Sequence, residues 1–177
     1  MIINILDLKP KHPLLPVPAD WYPVYINKRL FHDQNIKFHF FSSLNPTTTN
    51  CDCLFISSRF FTLQTKSPKD LSETLKQISN LTAKTKTIWF DFRDSTGNTQ
   101  FEVLPHVDLY LKKQLLKDTS LYQQPLYGNR IYTDYIHKTF DITDSYYEPC
   151  HPLQEKYAYK LGISWNPGLL DFRGGVN

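Results

Sequence analysis

Two apolar segments of this sequence each stop at a group of charged and hydrogen-bonding side chains. Residues 88–90 precede a cluster of acidic, basic and hydroxyl groups, and residues 107–111 precede two lysines. Open parallel sheets bind ligands beyond the carboxyl ends of their strands. The candidate binding residues therefore follow these two segments, with one arginine and one histidine from later loops: Asp91, Arg93, Asp94, Ser95, Lys112, Lys113, Arg130 and His137.

The cationic members of this group suit an anionic ligand. A guanidinium such as that of Arg130 offers a planar fork of donors, whereas a lysine ammonium offers a point charge, and both bind phosphate groups. The alternative is a solvated surface, in which Asp91 caps a turn, Arg93 and Asp94 form an exposed pair, and the lysines face water.

The run from Asp91 to Thr96 is comparable to the phosphatase signature D-x-D-x-T, in which one aspartate attacks phosphorus and the second acts as acid and base. Here Asp91 and Asp94 are three positions apart rather than two. At the end of an extended strand, this spacing places the two carboxylates on opposite faces, whereas the chemistry needs them to converge. Phosphotransfer through either aspartate therefore ranks third, behind two hypotheses in which these residues bind a ligand without attacking phosphorus.

Four tyrosines after the second apolar segment have two interpretations. They line a carbohydrate-facing cleft by ring stacking, or they form a packing layer over the edge of the sheet, which is the commoner use of large aromatic side chains. These residues are Tyr122, Tyr127, Tyr132 and Tyr135.

Several chemical signatures are missing from the sequence. All six glycines lie at Gly97 or later, so no glycine-rich phosphate loop follows the first apolar segment. The chain contains neither G-x-S-x-G nor H-E-x-x-H, and its six histidines have no partners at metal-ligand spacing. We therefore expect no cofactor and no metal.

Composition narrows the class of protein further. The 177 residues have the length of one domain, and their net charge of +3 is scattered rather than gathered into the basic stripe that nucleic-acid binding requires. No apolar run approaches the ~20 residues of a transmembrane helix, and the N-terminus lacks the features of a signal peptide. Cys51, Cys53 and Cys150 are odd in number and lack zinc or redox spacing, which favours reduced thiols in a cytoplasmic protein.

Strands and helices must position the candidate residues. Apolar runs of strand length predict strands at residues 1–8, 36–41, 51–61, 86–92 and 107–111. Helical spacing predicts a helix at about residues 21–34 with Asp20 as its N-cap, and a second helix that starts at Ser67 and Pro68. A last helix is expected at residues 152–161 with Gly162 as its C-cap, and residues 132–137 fit either a strand or a helix.

This order of elements predicts an α/β fold, a Rossmann-like three-layer sandwich with a mostly parallel sheet of about five strands. The first strand should be central because it is apolar on both faces, and an antiparallel edge strand is the alternative where no helix separates two strands. We expect residues 1–163 to form the domain and residues 164–177 to form a linker or a truncated end.

Three segments carry a resemblance to a known family: DSTGNTQFEVLPHVDLYLKKQLLKD, LYGNRIYTDYIHKTF and LGISWNPGLLDF. They resemble the N-terminal part of bacterial glycosyltransferase-like proteins from surface-polysaccharide gene clusters. The resemblance covers residues 86–172, and it extends to residues 1–85 in general pattern only.

The resemblance implies a GT-B-type transferase, in which two Rossmann-like domains face each other across a cleft. In that class the N-terminal domain receives the acceptor, and the C-terminal domain binds the nucleotide-sugar donor. Here Arg93 and Arg130 would hold an anionic group of a glycan or lipid-linked acceptor, such as a diphosphate, and Asp94 would accept a hydrogen bond from a sugar hydroxyl.

The same resemblance implies a second domain that begins beyond Asn177 and binds the donor. The lone chain is expected to be inactive, because a one-sided cleft cannot position two substrates. It also implies a cytoplasmic protein at the inner face of the membrane, with peripheral membrane association. The alternative function is a non-catalytic, flavodoxin-like binding or interaction module.

Overall fold

The computed structural model describes residues 1–10, 16–61, 63, 68–93, 96–144 and 151–165. These residues contain one six-stranded sheet, whose strands are β1 (Ile2–Leu6), β2 (Lys37–Phe41), β3 (Cys53–Ser57), β4 (Lys86–Asp91), β5 (Leu109–Lys112) and β6 (Leu161–Ile163). The strand order is β2-β1-β3-β4-β5-β6, and every neighbouring pair is parallel.

Helices cover both faces of this sheet. The α-helices are α1 (Tyr22–Ile26), α2 (Lys28–Asp33), α3 (Pro68–Thr82) and α4 (Ile131–Phe140). Short 3-10 helices occupy Ala19–Trp21, Phe101–His106, Thr119–Gln123, Tyr127–Asn129 and Glu155–Lys160.

Two apolar cores lie on opposite faces of the sheet, since successive side chains of a strand point to opposite faces. Leu6 belongs to the core that packs against α3 and the Phe101–His106 helix, whereas its neighbour Ile5 belongs to the core under α1 and Trp21. The chain is therefore a Rossmann-like three-layer α/β sandwich, as the sequence predicts.

Strand β1 lies inside the sheet between β2 and β3, in agreement with its apolar character on both faces. The antiparallel alternative does not apply to the strands that the structure describes. The sheet has one strand more than expected, because β6 adds to the edge formed by β5.

The helix predicted at residues 21–34 is wrong in its continuity. It is two short helices that meet at Asn27, whose side-chain amide donates to the Pro23 carbonyl at 2.8 Å. Asparagine side chains compete for backbone groups in this way and interrupt helices. The N-cap of α1 is Trp21 rather than Asp20, and the Asp20 carboxylate pairs with Arg59 instead.

The last predicted helix, at residues 152–161, is also wrong. The chain forms a 3-10 helix at Glu155–Lys160 and then enters β6, so Gly162 is a strand residue and not a C-cap. A Cβ at Gly162 would lie 2.6 Å from Leu111 Cδ2, so the missing side chain leaves room for the Leu111 side chain on β5. Without β6, the outer edge of β5 would carry unpaired N–H and C=O groups. Residues 161–163 bond to these groups as a strand, which they could not do as part of a helix.

Several smaller expectations are decided by the described residues. The segment 132–137 is helical, as part of α4, and Cys51 and Cys53 are free thiols. Ser67 and Cys150 lie outside the described residues. Of the predicted linker, Trp165 packs edge-on against Trp21 at 5.6 Å between ring centroids, and residues 166–177 lie outside the described part.

Candidate functional site

The carboxyl ends of four strands bring polar side chains to one edge of the sheet. Ser57, Asp91 and Lys112 are the last residues of β3, β4 and β5, and Asp7 immediately follows β1. The strand order reverses between β1 and β3, which is the switch point where open α/β sheets commonly bind ligands.

Asp91 and Lys112 form a buried ion pair in the interior beneath this edge. They are direct partners in the register of β4 and β5, and Lys112 Nζ donates to Asp91 Oδ2 at 2.8 Å. Both side chains are fully buried. The Tyr110 side chain is buried as well, and its hydroxyl donates to Asp91 Oδ2 at 2.5 Å.

The remaining bonds of this pair hold the loop that follows β4. Lys112 Nζ donates to the Asn98 carbonyl at 2.8 Å, and Asp91 Oδ1 accepts from the Arg93 amide at 2.9 Å. The Tyr110 hydroxyl accepts from the Gln100 amide at 3.0 Å. These bonds hold the loop at both of its ends and near its middle. They also give Asp91 and Lys112 the additional hydrogen bonds that a buried ion pair requires.

Burial dominates the electrostatics of the cluster. It lowers the pKa of Lys112, and the Asp91 carboxylate opposes this shift. Burial and the same carboxylate raise the pKa of Tyr110 well above its ordinary value. Because Asp91 is enclosed and fully bonded, it is not placed to attack a phosphoryl donor, and Asp94 lies outside the described residues.

The loop after β4 gathers two of the predicted cationic residues. The Thr99 carbonyl accepts from Arg93 Nη1 at 3.4 Å and from the Asn129 side-chain amide at 3.2 Å. Arg130, the next residue, packs its backbone on Gly97, where an added Cβ would lie 3.2 Å from Arg130 Cα. Arg93 and Arg130 therefore both contact the same short stretch of loop, residues 97–99.

A tight turn then carries Arg130 into α4. Gly128 and Asn129 have φ values of 62° and 59°, a left-handed conformation that glycine and asparagine tolerate. Arg130 Nη1 donates to the Tyr132 hydroxyl at 2.5 Å, and its guanidinium lies 5.8 Å from the Tyr132 ring centroid. This guanidinium is thereby oriented along the surface of the first turn of α4.

His137 belongs to the same surface through Tyr127. The two rings stack at 3.9 Å between centroids and 14° between planes, and the Tyr127 amide donates to Asp134 Oδ1 at 2.9 Å. Lys138 pairs with the other Asp134 oxygen at 2.7 Å. The turn and α4 are thus joined by side-chain contacts as well as by sequence.

The four tyrosines divide between the two interpretations. Tyr122 is buried and packs edge-on against Phe101 at 5.1 Å, which is the packing role. Tyr132 and Tyr135 are 56% and 61% exposed, and Tyr127 is half-buried. Exposed rings beside Arg130 are available to stack on a ligand.

The structure therefore separates the predicted site residues into groups. Asp91 and Lys112 are together in the interior and position the loop, while Arg93, Arg130 and His137 lie on the half-buried surface above it. Lys113 is half-buried, one residue beyond β5. Asp94 and Ser95 lie outside the described residues.

Sequence reasoning missed a second group, at the switch point itself. Asp7 accepts hydrogen bonds from Trp21 Nε1 at 2.6 Å and from the Leu8 amide at 2.7 Å, and burial raises its pKa. The most exposed member of this group is Arg59, whose guanidinium pairs with the Asp20 carboxylate. The signal in the sequence was Asp7, an acidic residue directly after the first apolar strand.

Among the residues that the structure describes, no group of three or more histidine, cysteine or acidic side chains is placed to hold a metal ion. Within the same residues, no helix is both long enough and apolar enough to cross a membrane.

The fold and this edge define a parallel α/β domain with a doubly wound strand order. Its first five strands follow the order β2-β1-β3-β4-β5 of flavodoxin-like domains, and β6 extends the sheet by one strand. Comparison of the sequence with protein-family models and with curated proteins finds no match.

Proposed function

We propose that this chain is the acceptor-binding domain of a GT-B-like glycosyltransferase that acts in cell-surface polysaccharide assembly. The donor, a nucleotide sugar, would be bound by a second α/β domain across the cleft. The acceptor would be a glycan or a lipid-linked glycan carrying an anionic group, and the enzyme would work at the inner face of the membrane by peripheral association.

One observation carries this proposal: Arg93 and Arg130 both contact the same short stretch of loop, residues 97–99, at the carboxyl edge of the sheet. Arginine binds phosphate through two parallel hydrogen bonds, so two arginines on one support suit a diphosphate better than a single charge would. The exposed rings of Tyr132 and Tyr135 lie on the helix that Arg130 precedes, where they can stack on sugar rings.

The buried pair beneath the loop supports the same function. Transfer requires that the acceptor be held in one orientation relative to the donor. A loop whose backbone is bonded to Lys112, Asp91 and Tyr110 keeps Arg93, and the surface on which Arg130 packs, in a fixed place. In this proposal the pair is a positioning device and makes no contact with either substrate.

The test is sugar transfer by the full-length protein that contains this chain, with Arg93→Ala and Arg130→Ala compared with wild type. We expect each variant to raise the KM for the anionic acceptor by about tenfold or more, which is the loss of one charge-assisted hydrogen-bonding group. Lys84→Ala is the matched control, because Lys84 is an exposed cation in the turn between α3 and β4. Circular dichroism would verify that each variant is folded.

Wild-type transfer by both arginine variants would refute the site. Efficient transfer by residues 1–177 alone would refute the proposal that a second domain is needed. Asp94→Ala extends the series, since a loss of acceptor affinity in that variant would support its assignment to a sugar hydroxyl.

A second candidate is a non-catalytic, flavodoxin-like binding module, and the strand order favours it. The reversal between β1 and β3 places Asp7 and Arg59 at the position where flavodoxin-like domains bind their ligands. This candidate predicts that Arg59→Ala weakens binding of an anionic ligand and that no sugar is transferred by the full-length protein.

A further inference from the structure

A pocket of about 560 Å³ lies beside the outer strand β2, apart from the arginines of the acceptor site. Helices α1 and α2 form one side, and β2 with the residue before it forms the other. Its volume is within the range of about 300–1,000 Å³ that is common for pockets that bind small molecules.

The walls of the pocket are apolar. Ile36, Phe38 and Phe40 alternate along the chain and so present one face of β2 to the pocket, while Val17 and Val24 close it from the core. Phe38 is held in place by Phe31 of α2, whose ring packs edge-on at 5.0 Å. A hydrocarbon chain is the ligand that such walls bind most favourably.

The rim of the pocket carries cationic side chains, and no carboxylate is among its described lining residues. Lys28 and Arg29 come from the first turn of α2. Lys28 Nζ lies 4.5 Å from the Tyr25 ring centroid, a cation–π contact that holds the ammonium beside the pocket. The charge at this opening is therefore complementary to an anionic head group.

We propose that this pocket binds a single-chain anionic amphiphile, with the hydrocarbon chain between α1 and β2 and a phosphate or carboxylate head on Lys28 and Arg29. The proposal does not depend on glycosyl transfer, because the residues that line the pocket include neither Arg93 nor Arg130 nor the loop residues that those arginines contact. It gives the chain a second binding function, for free or protein-presented lipids.

The surface around the pocket suggests another occupant, which the experiment must separate. Leu30 is 64% exposed and Ile26 is 52% exposed, so the outer side of α1 and α2 also presents apolar groups to a bilayer surface. A pocket ligand must bind as a monomer, whereas a bilayer contact needs a vesicle.

The experiment is calorimetric titration of the protein with octyl, decyl and dodecyl phosphate, each below its micelle concentration. Burial of one methylene is worth ~0.8 kcal/mol, so each step of two carbons should tighten binding by roughly fifteenfold until the pocket is full. Phe40→Ala should weaken dodecyl phosphate and flatten this dependence on chain length. Phe40 is partly exposed on an edge strand, so its truncation is compatible with folding.

Lys28→Gln with Arg29→Gln tests the head group. We expect this double variant to bind dodecyl phosphate at least about tenfold more weakly and to bind uncharged decanol as wild type does. Lys84→Gln with Lys117→Gln removes the same charge from exposed positions elsewhere and should leave both affinities unchanged.

Three results would overturn the proposal. The first is that no monomeric alkyl phosphate binds. The second is that dodecyltrimethylammonium binds as tightly as dodecyl phosphate, and the third is that the protein binds only to phosphatidylglycerol vesicles. The last of these would assign the surface to a membrane instead of a pocket ligand.

Discussion

Replacing Lys112 with methionine should be among the most damaging single substitutions in the chain. Methionine has a similar length and no charge, so Lys112→Met removes the bonds from Nζ to Asp91 and to the Asn98 carbonyl while keeping most of the packing. Among the described residues, the Tyr110 hydroxyl and the Arg93 amide would then be the remaining donors to the buried Asp91 carboxylate.

The expected cost follows from this geometry. Removal of one partner from a buried ion pair costs about 3–5 kcal/mol, because the other charge remains buried without compensation. The free energy of unfolding of a whole domain is about 5–15 kcal/mol, so Lys112→Met removes a large part of it. Loss of the bond to Asn98 also releases the middle of the loop that supports Arg93.

The measurement is urea denaturation of a double-mutant cycle made of Lys112→Met, Asp91→Asn and the combination. The buried Trp21 and Trp89 report unfolding by fluorescence. The combined variant should lose much less stability than the sum of the single losses, because it contains no unpaired charge. Lys117→Met is the control, and its exposed side chain should change the free energy of unfolding by no more than ~0.5 kcal/mol.

If Lys112→Met changed the free energy of unfolding as little as Lys117→Met does, the ion pair would not stabilise the fold and this prediction would be refuted. It would also be refuted if the losses of the two single variants simply added, since the two groups would then not depend on each other.

Three further predictions concern other residues. Burial raises the pKa of Glu102 above 4.5, so the folded chain binds the carboxyl proton more tightly than the unfolded chain does. Wild type should therefore lose stability relative to Glu102→Gln as the pH rises from 4.5 through the raised pKa. Equal pH profiles of the two proteins in urea denaturation would contradict this. Gly97→Ala should lower the free energy of unfolding by about 1–3 kcal/mol in thermal or urea denaturation, because the new Cβ would lie 2.8 Å from a backbone oxygen. Gly162→Ala should lower it by about 1 kcal/mol or less, because its new Cβ meets a side-chain methyl that can rotate away. Burial raises the pKa of the Cys53 thiol to about 11, so little of it is the reactive thiolate. In a Cys150→Ser background, Cys53 should therefore react with a thiol reagent far more slowly in the native protein than after denaturation. Fast labelling of both remaining thiols in the native protein would contradict this.

The sequence by itself determined the local elements and the class of the fold. Five of the six strands follow from short apolar runs, and the interior place of β1 follows from its two apolar faces. The edge that carries the polar residues also follows, because β1, β4 and β5 each end where an apolar run meets a charged residue. These features depend only on neighbours in the chain, so the pattern of residue types is enough to predict them.

Tertiary structure alone decided which of those polar residues are partners. The register of β4 and β5 sets Asp91 opposite Lys112 and buries both, which no local pattern distinguishes from two exposed strand ends. The pairing of Asp20 with Arg59 and the addition of β6 to the sheet likewise join residues that are far apart in sequence. The physical reason is that burial and pairing depend on register, strand order and close packing, and these are set by the whole chain at once rather than by any one segment.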